Sequence, residues 1–461
     1  MFFQFLTFAC IFLSGFMIMN IISTEFGLSQ KIGLSMPLGF GLTTVIMLLI
    51  NFSGVKFTIE LIVLLSLLTV ASIGFIVLRK KKLASIVNLD LKPLRNLQYF
   101  NLSWIFLVLV LFYIVYGITA KALFWPPSAY DSITGYDYMA KVTAAEGKFN
   151  NSIFDQTNPT NSIRHSYPPF VPGSYAIAYM LGFQSSKISM VLIFVSLIIY
   201  FWSLLRKYTT ETAAIFFTLV MASVPEFLAM SALSLTNVPQ TLFASAGLLA
   251  LFEYHKKSHK QYLILSIVLL GLNAWTRSDG VVFIAGGGVM LLYHFLLKKK
   301  IDWKPLISYS ILSILPLVTW QIFMKINIEG IYSSSDAFVR HLFWDGEKMK
   351  ELISLIWNII SSSQLYGVVF ILFVIILLIN FKFLRKDKPI LLIGIFTSFI
   401  LYSFLYYQMD NGGDNFGYSI SSMINSSFKR GMFPFIPAIC FYMASSTMIT
   451  RLFKWIYKPF I

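Results

Sequence analysis

Charge is scarce in this sequence. Only 12% of its 461 residues are charged, and Asp and Glu together number 20. That is too little to solvate the surface of a globular domain of this length. A mean hydropathy of +0.74 with many long apolar runs places the chain in the polytopic membrane class. Cysteine is almost absent too. Cys10 and Cys440 each lie within an apolar run, which excludes a disulfide framework and a thiol-rich metal site and leaves both as small packing residues. No GxxxxGK[ST] phosphate loop occurs, and Gly286-Gly287-Gly288 falls inside an apolar run, where small residues serve close helix packing. The stretch MFFQFLTFACIFLSGFMIMN lacks a basic n-region and is too long for the apolar core of a cleaved leader, so it is read as a span.

What the sequence has in excess is positive charge, a net +16. The Lys and Arg residues sit in short clusters between apolar runs, the pattern of topology signals, so no nucleic-acid partner is expected. Apolar runs predict transmembrane helices near 2–22, 32–53, 57–78, 104–120, 187–205, 211–229 and 238–254. Further ones follow near 261–276, 280–297, 305–323, 364–381, 389–407 and 431–448, about thirteen in all at roughly 17–25 residues each. With that map, Arg79 to Lys82, Arg206-Lys207, Lys256-Lys257, Lys298 to Lys300, Arg385-Lys386 and the tail Arg451, Lys454 and Lys458 fall on one side. About 23 of the 36 basic residues lie there with about 6 acids, so the opposite side is close to neutral and this side is cytoplasmic. The expected protein is an all-α, multi-pass protein of the plasma (inner) membrane. Large extracytoplasmic loops span 121–186 and 324–363, with a smaller one at 408–430. Pro168 to Phe183 is apolar but short, and is expected as a juxtamembrane helix in the first long loop.

Polar groups close to lipid are costly unless they face a cavity or a partner, so their positions carry information. Asp131 follows the apolar run through Phe124 and the stretch Trp125-Pro126-Pro127. It is either an acid at the membrane boundary or, like Ser132, the N-cap of a helix running to Glu146 with Gly147 as its stop. Asp137 stands four residues before Lys141, at ion-pair spacing. Arg164, His165 and Tyr167 close the long loop; a loop histidine either titrates against an anion or is simply solvated. Glu226 and Asn237 flank a very short outer connection. Arg277 and Asp279 occupy a turn between two spans, as a mutual ion pair or as a cation offered to a ligand. Lys429-Arg430 enters the last span from outside, against the inside rule, which asks for an anionic ligand. Arginine suits phosphate because its planar fork donates two parallel hydrogen bonds.

Over residues 104–448 these motifs resemble the GT-C glycosyltransferases, integral membrane enzymes that use polyprenyl-phosphate-linked sugars. The likeness rests on Asp131, Tyr138, Ala140 and Gly147, then His165, Tyr167, Pro168 and Pro169. It continues with Asn237-Val238-Pro239, Arg277-x-Asp279-Gly280, and Arg430, Pro434 and Pro437, all in one order and on one side. The protein O-mannosyltransferase and lipid A aminoarabinose transferase branch is the most similar. The resemblance implies that Asp131 is the catalytic base of the first loop, with Asp137, Arg164, His165, Tyr167, Asn237, Arg277, Asp279 and Arg430 around the substrates. Many relatives carry an acid where Asn237 stands, which weakens the case for a metal; no metal or cofactor is expected. The implied organisation is extra N-terminal helices at 1–82, a cytoplasmic linker at 83–103, a GT-C module at 104–323 and a variable C-terminal module at 324–461.

The expected reaction is inverting, metal-independent transfer of a sugar from polyprenyl phosphate to an acceptor hydroxyl on a lipid, glycan or protein, at the extracytoplasmic face. A general base within hydrogen-bond reach makes the hydroxyl a competent nucleophile, and arginines offset charge on the leaving phosphate. Trp125, Tyr130 and Tyr167 are candidates to pack on sugar faces or to anchor in the interface. One alternative is a transporter or flippase of a lipid-linked or anionic solute, which would place ionisable residues at mid-membrane on broken helices. Another is an O-antigen ligase or polymerase, relying on arginine and histidine rather than a first-loop aspartate.

Overall fold

A computed structural model of the chain describes residues 2–23, 26–79, 102–155, 167–328, 344–381, 388–408 and 420–456. Among these residues there is helix and no strand. Lipid dictates this, because a spanning backbone has no water to bond and satisfies its N–H and C=O groups within helices. The first half comprises α1 (Phe2–Ile22), α2 (Leu28–Phe52), α3 (Ile59–Arg79), α4 (Leu102–Phe124), α5 (Asp137–Glu146), α6 (Phe170–Met180), α7 (Lys187–Leu205), α8 (Glu211–Ala222) and α9 (Pro225–Met230). The second comprises α10 (Asn237–Lys257), α11 (Lys260–Thr276), α12 (Val281–Leu297), α13 (Trp303–Asn327), α14 (Gly346–Ile360), α15 (Val369–Ile379), α16 (Pro389–Gln408), α17 (Phe435–Ser445) and α18 (Thr447–Ile456).

Every expected span carries helix, but not every helix is a full span. Among the described residues seven are long and apolar enough to cross a membrane, namely α1, α2, α4, α7, α12 with its leading turn, α13 and α16; the pair α17 and α18, bent by 61°, would make an eighth. Of the other expected segments, α8, α11 and α15 are shorter and α10 is more polar, whereas α3 is 21 residues long and apolar. The run at 211–229 divides into α8 and α9, and Pro225 opens the second because proline suits the first helical turn. As expected, Pro168 to Phe183 yields only the 11-residue α6, which is too short to cross.

Small residues let backbones touch. A Cβ on Gly15 would lie 1.8 Å from the Ser35 carbonyl oxygen, and one on Gly39 would lie 2.0 Å from that of Ile11, so α1 and α2 cross in direct contact. In α12, Gly286 and Gly287 admit Ser398 and Tyr309 in the same way, the packing role expected of them. Burial is deepest along α17, α10 and α6.

The two ends of the bundle differ in chemistry. At one end Lys207 Nζ donates to Gln30 Oε1 at 2.5 Å, Arg206 pairs with Glu211 at 2.6 Å, and Lys257 pairs with Glu253 at 2.8 Å. At the other, the tip between α2 and α3 meets the loop that follows α5: Phe57 N–H donates to the Gly147 carbonyl at 2.8 Å. The grouping follows the charge alternation read from the sequence. Arg164 and His165, Lys80 to Lys82, Arg385-Lys386 and residues 83–101 of the linker expected at 83–103 lie outside the described residues, while 102 and 103 already belong to α4.

Candidate functional site

Asp131 and Arg430 stand 299 residues apart in the chain and touch in space. Arg430 Nη1 donates to Asp131 Oδ2 at 2.6 Å, and each side chain is 18% exposed. Both approaches are irregular. Asp131 leads directly into a π-helical turn, Ser132–Tyr136, and Arg430 follows another, Ile424–Phe428. Such turns insert a residue, re-aim side chains and cluster at functional sites. Asp131 itself is in helical conformation and its side chain caps nothing, which removes the N-cap reading. Ser132 Oγ is buried without a partner, so it is no cap either. Gly147 does end α5, in the left-handed conformation at φ 65°, with its N–H bonded to the Thr143 carbonyl. Arg430 is braced from behind, its Nε donating to the Ser426 carbonyl at 2.8 Å.

A second charged pair lies beside the first. Arg277 Nη2 meets Asp279 Oδ2 at 2.7 Å, with 15% and 18% of the side chains exposed. The mutual ion pair is therefore real. Asp279 is held in turn by Gln240, whose Nε2 donates to Oδ1 at 2.8 Å. Arg277 Nε, Gln240 Oε1, Asn237 Nδ2 and Asn273 Oδ1 are buried without hydrogen-bond partners. Unsatisfied groups of this kind are rare in folded proteins and mark places where water or ligand completes the network.

Tyr136 connects the two pairs. Its hydroxyl lies near Thr236 and within electrostatic reach of both Arg277 and Asp131. Burial, and then the adjoining Tyr167, pushes this hydroxyl well above the ordinary phenol range, so it stays protonated. Tyr136 and Tyr167 stack at 5.6 Å with 22° between their planes. From α16, Tyr402 and Tyr406 add hydroxyls 3.1 Å apart, also within reach of Arg277 and Asp279. Gly431 admits the Tyr402 ring beside Arg430, since a Cβ there would lie 1.7 Å from the tyrosine oxygen.

Asp137 is placed differently. It is 2% exposed; Tyr179 donates to both of its oxygens at 2.7 Å, Ser186 donates to one at 2.5 Å, and Lys141 stands 3.3 Å away. Those partners tie α5 to α6 and α7. Lys187, 1% exposed, closes the same corner by donating to the carbonyls of Lys121, Trp125 and Pro126. The path from α4 to Asp131 is thus fixed by a buried ammonium on α7. Glu226 pairs with Lys429 at 2.7 Å, so both cations of the Lys429-Arg430 step meet an acid from another element. Asn237 is the first residue of α10 and 2% exposed. Trp125 and Tyr130 are 62% and 68% exposed, whereas Tyr167 stacks on Tyr136.

Of the residues singled out in the sequence, the structure brings Asp131, Tyr167, Arg277, Asp279 and Arg430 together, and it adds Tyr136, Gln240, Tyr402 and Tyr406, which the sequence did not single out. Gln240 lies three residues beyond Asn237 on the same helical face, and Tyr402 and Tyr406 are one turn apart; both spacings were available signals. A polar cleft of about 500 Å³ opens at the far end of α5, lined by Glu146, Lys148, Asn150, Asn151 and Asn327 among others. Asp131, Arg277 and Arg430 do not line it. Among the described residues, no group of three or more His, Cys, Asp or Glu side chains is placed to hold a metal ion.

Residues 167–320 match the sequence model of the dolichyl-phosphate-mannose-protein mannosyltransferase family. The matched stretch contains Tyr167, Asn237, Gln240, Arg277 and Asp279, but neither Asp131 nor Arg430. No curated protein matches the chain. Among solved structures, ArnT from Cupriavidus metallidurans bound to undecaprenyl phosphate aligns with a TM-score of 0.50 at 13% identity, over 73% of this chain. The alignment spans 59% of ArnT. The Archaeoglobus fulgidus oligosaccharyltransferase in complex with Zn and sulfate aligns at 0.47 and 14% identity, over 75% of this chain and 49% of that one. The helical architecture is GT-C-like.

Proposed function

We propose that this chain, a multi-pass membrane protein of GT-C-like fold, transfers a sugar from a polyprenyl-phosphate donor to an acceptor hydroxyl, with Asp131 as general base. The acceptor oxygen attacks the anomeric carbon while Asp131 takes its proton. The bond from that carbon to the phosphate oxygen breaks with its electron pair, and polyprenyl phosphate leaves with one inversion. Arg430 and Arg277 offset the charge gathering on the phosphate, which is where electrostatic preorganisation contributes most to such a step. Tyr136, kept protonated, is a further donor toward that oxygen. The reaction takes place at the face opposite the basic clusters.

The observation that carries this reading is the 2.6 Å Asp131 to Arg430 pair beside the Arg277 to Asp279 pair, both bordering Tyr136. A base and phosphate-binding cations are needed together, and two distant stretches of sequence supply them in one place. The family match over 167–320 and the undecaprenyl phosphate bound by ArnT support the donor class. The test is Asp131→Asn in cells whose membrane lipids are profiled by mass spectrometry. Loss of the base should lower transfer by about 10²–10⁴-fold, so the donor lipid accumulates and a glycoconjugate disappears. An unchanged lipid profile in that variant removes Asp131 from the mechanism.

A further inference from the structure

The hairpin of α1 and α2 precedes the GT-C module and contains none of the residues that do chemistry in the proposed reaction. It nevertheless touches both arms of the site. Asn51, 7% exposed near the end of α2, accepts from the Phe149 N–H at 2.6 Å and donates from Nδ2 to Asn150 Oδ1 at 3.0 Å. These bonds hold the end of the loop that begins at Asp131. Thr44, on the same helix and fully buried, accepts from Trp275 Nε1 at 3.0 Å. Trp275 is two residues before Arg277, so this bond fixes the other arm.

Thr44 and Asn51 are seven residues apart, which puts them on one face of α2 about two turns from each other. The contacts between their partners close a circuit. Phe149 packs edge-on against Trp320 at 6.1 Å, and Trp320 packs edge-on against Trp275 at 6.5 Å. The circuit runs from α2 through the loop, α13 and α11 and back to α2. The approach is tight where α2 hands over to α3, since a Cβ on Gly147 would lie 2.7 Å from the Phe57 carbonyl oxygen. Free side chains would settle against lipid, whereas a buried amide with both functions engaged fixes a distance.

We infer that α2 is a positioning spine for the site, with Asn51 and Thr44 as positioning residues that set the separation of the Asp131 loop from the Arg277 turn. The inference rests on the sugar-transfer reading for its kinetic readout but not for its distance readout. Spin labels at Ala145→Cys on α5 and Gln364→Cys, both exposed positions, report where the loop helix stands against the bundle. Cys10 and Cys440 are buried. Asn51→Leu should broaden the label distance distribution and lower kcat by about tenfold to a hundredfold. KM for an undecaprenyl-phosphate sugar probe should hold steady. Asn51→Asp, which keeps an acceptor for Phe149 and gains one for a flipped Asn150 amide, should restore both. Thr44→Val, the milder variant, should instead raise KM, because it loosens the arm that carries Arg277. An unchanged distribution in Asn51→Leu, or equal loss in Asn51→Leu and Asn51→Asp, overturns the inference. If the unsubstituted protein turns over no polyprenyl-phosphate sugar, the transfer reading falls, while the distance distributions still decide the role of α2.

Discussion

Breaking the Asp131 to Arg430 contact from each side in turn is the sharpest test of the site as built. The perturbation is a double-mutant cycle of Asp131→Ala, Arg430→Ala and both together. At 2.6 Å, the gross attraction of two unit charges is about 6 kcal/mol at an effective dielectric constant of about 20. Removing both groups from water offsets most of that, because each side chain is only 18% exposed. The surviving coupling should be about 1–3 kcal/mol, and each single variant should cost more than its half share because it strands a charge. The assay is thermal unfolding of the purified protein in detergent at two ionic strengths. Salt should barely change the coupling, since a mostly enclosed pair is poorly screened. A coupling below about 0.3 kcal/mol, the level at which distant sites add independently, would mean that the two residues share no site. The chemistry built on them would go with it.

Two further outcomes follow from the same packing. Asp137→Asn should lower the unfolding temperature by removing a charge that Tyr179, Ser186 and Lys141 all address, at about 1.5–3 kcal/mol for a charged hydrogen-bond centre. Transfer per folded molecule should persist; activity abolished at unchanged stability would instead put Asp137 in the chemistry. Gly147→Ala should destabilise by about 1–2 kcal/mol from the left-handed backbone alone, with an added cost from its close approach to Phe57. Gly147→Asn separates the two causes in the same unfolding assay, because asparagine tolerates that conformation but not the contact; full recovery in Gly147→Asn would show that the close approach is unimportant.

The topology was legible because two independent signals had to agree. Apolar run length proposes helices, and alternation of Lys and Arg between loops checks their number parity. The gathering of Gln30, Arg206 and Lys207 at one end and of Asn51, Gly147 and Asn150 at the other is the structural form of that alternation. Run length alone smoothed over internal breaks. In 211–229 it did not register that Ser223 to Pro225 breaks the helix, and in 364–381 it merged a turn at Gly367 with the 11-residue α15. Hydropathy averages over a window, whereas a break is decided by one or two residues.

The candidate site was legible in residue type but not in partnership. Asp131 and Asp137 lie six residues apart on the same loop, and both looked like acids at a membrane boundary. Their fates diverge because α6 and α7 bring Tyr179 and Ser186 to one and the segment before α17 brings Arg430 to the other. No local pattern encodes that choice. The π-helical turns beside Asp131 and Arg430 are only half legible, since the weak helix formers of SITGY and INSSF announce an irregular helix but not the kind of turn or where it aims its neighbours. Tyr136 shows the same limit from the other direction. Read alone it is one aromatic among many in a chain with 23 tyrosines, and only the fold sets it between two ion pairs. Position relative to charge, not residue identity, makes that hydroxyl a candidate donor. An Asp131→Asn result is therefore best interpreted together with Tyr136→Phe, which removes the donor and leaves the stacking on Tyr167 in place.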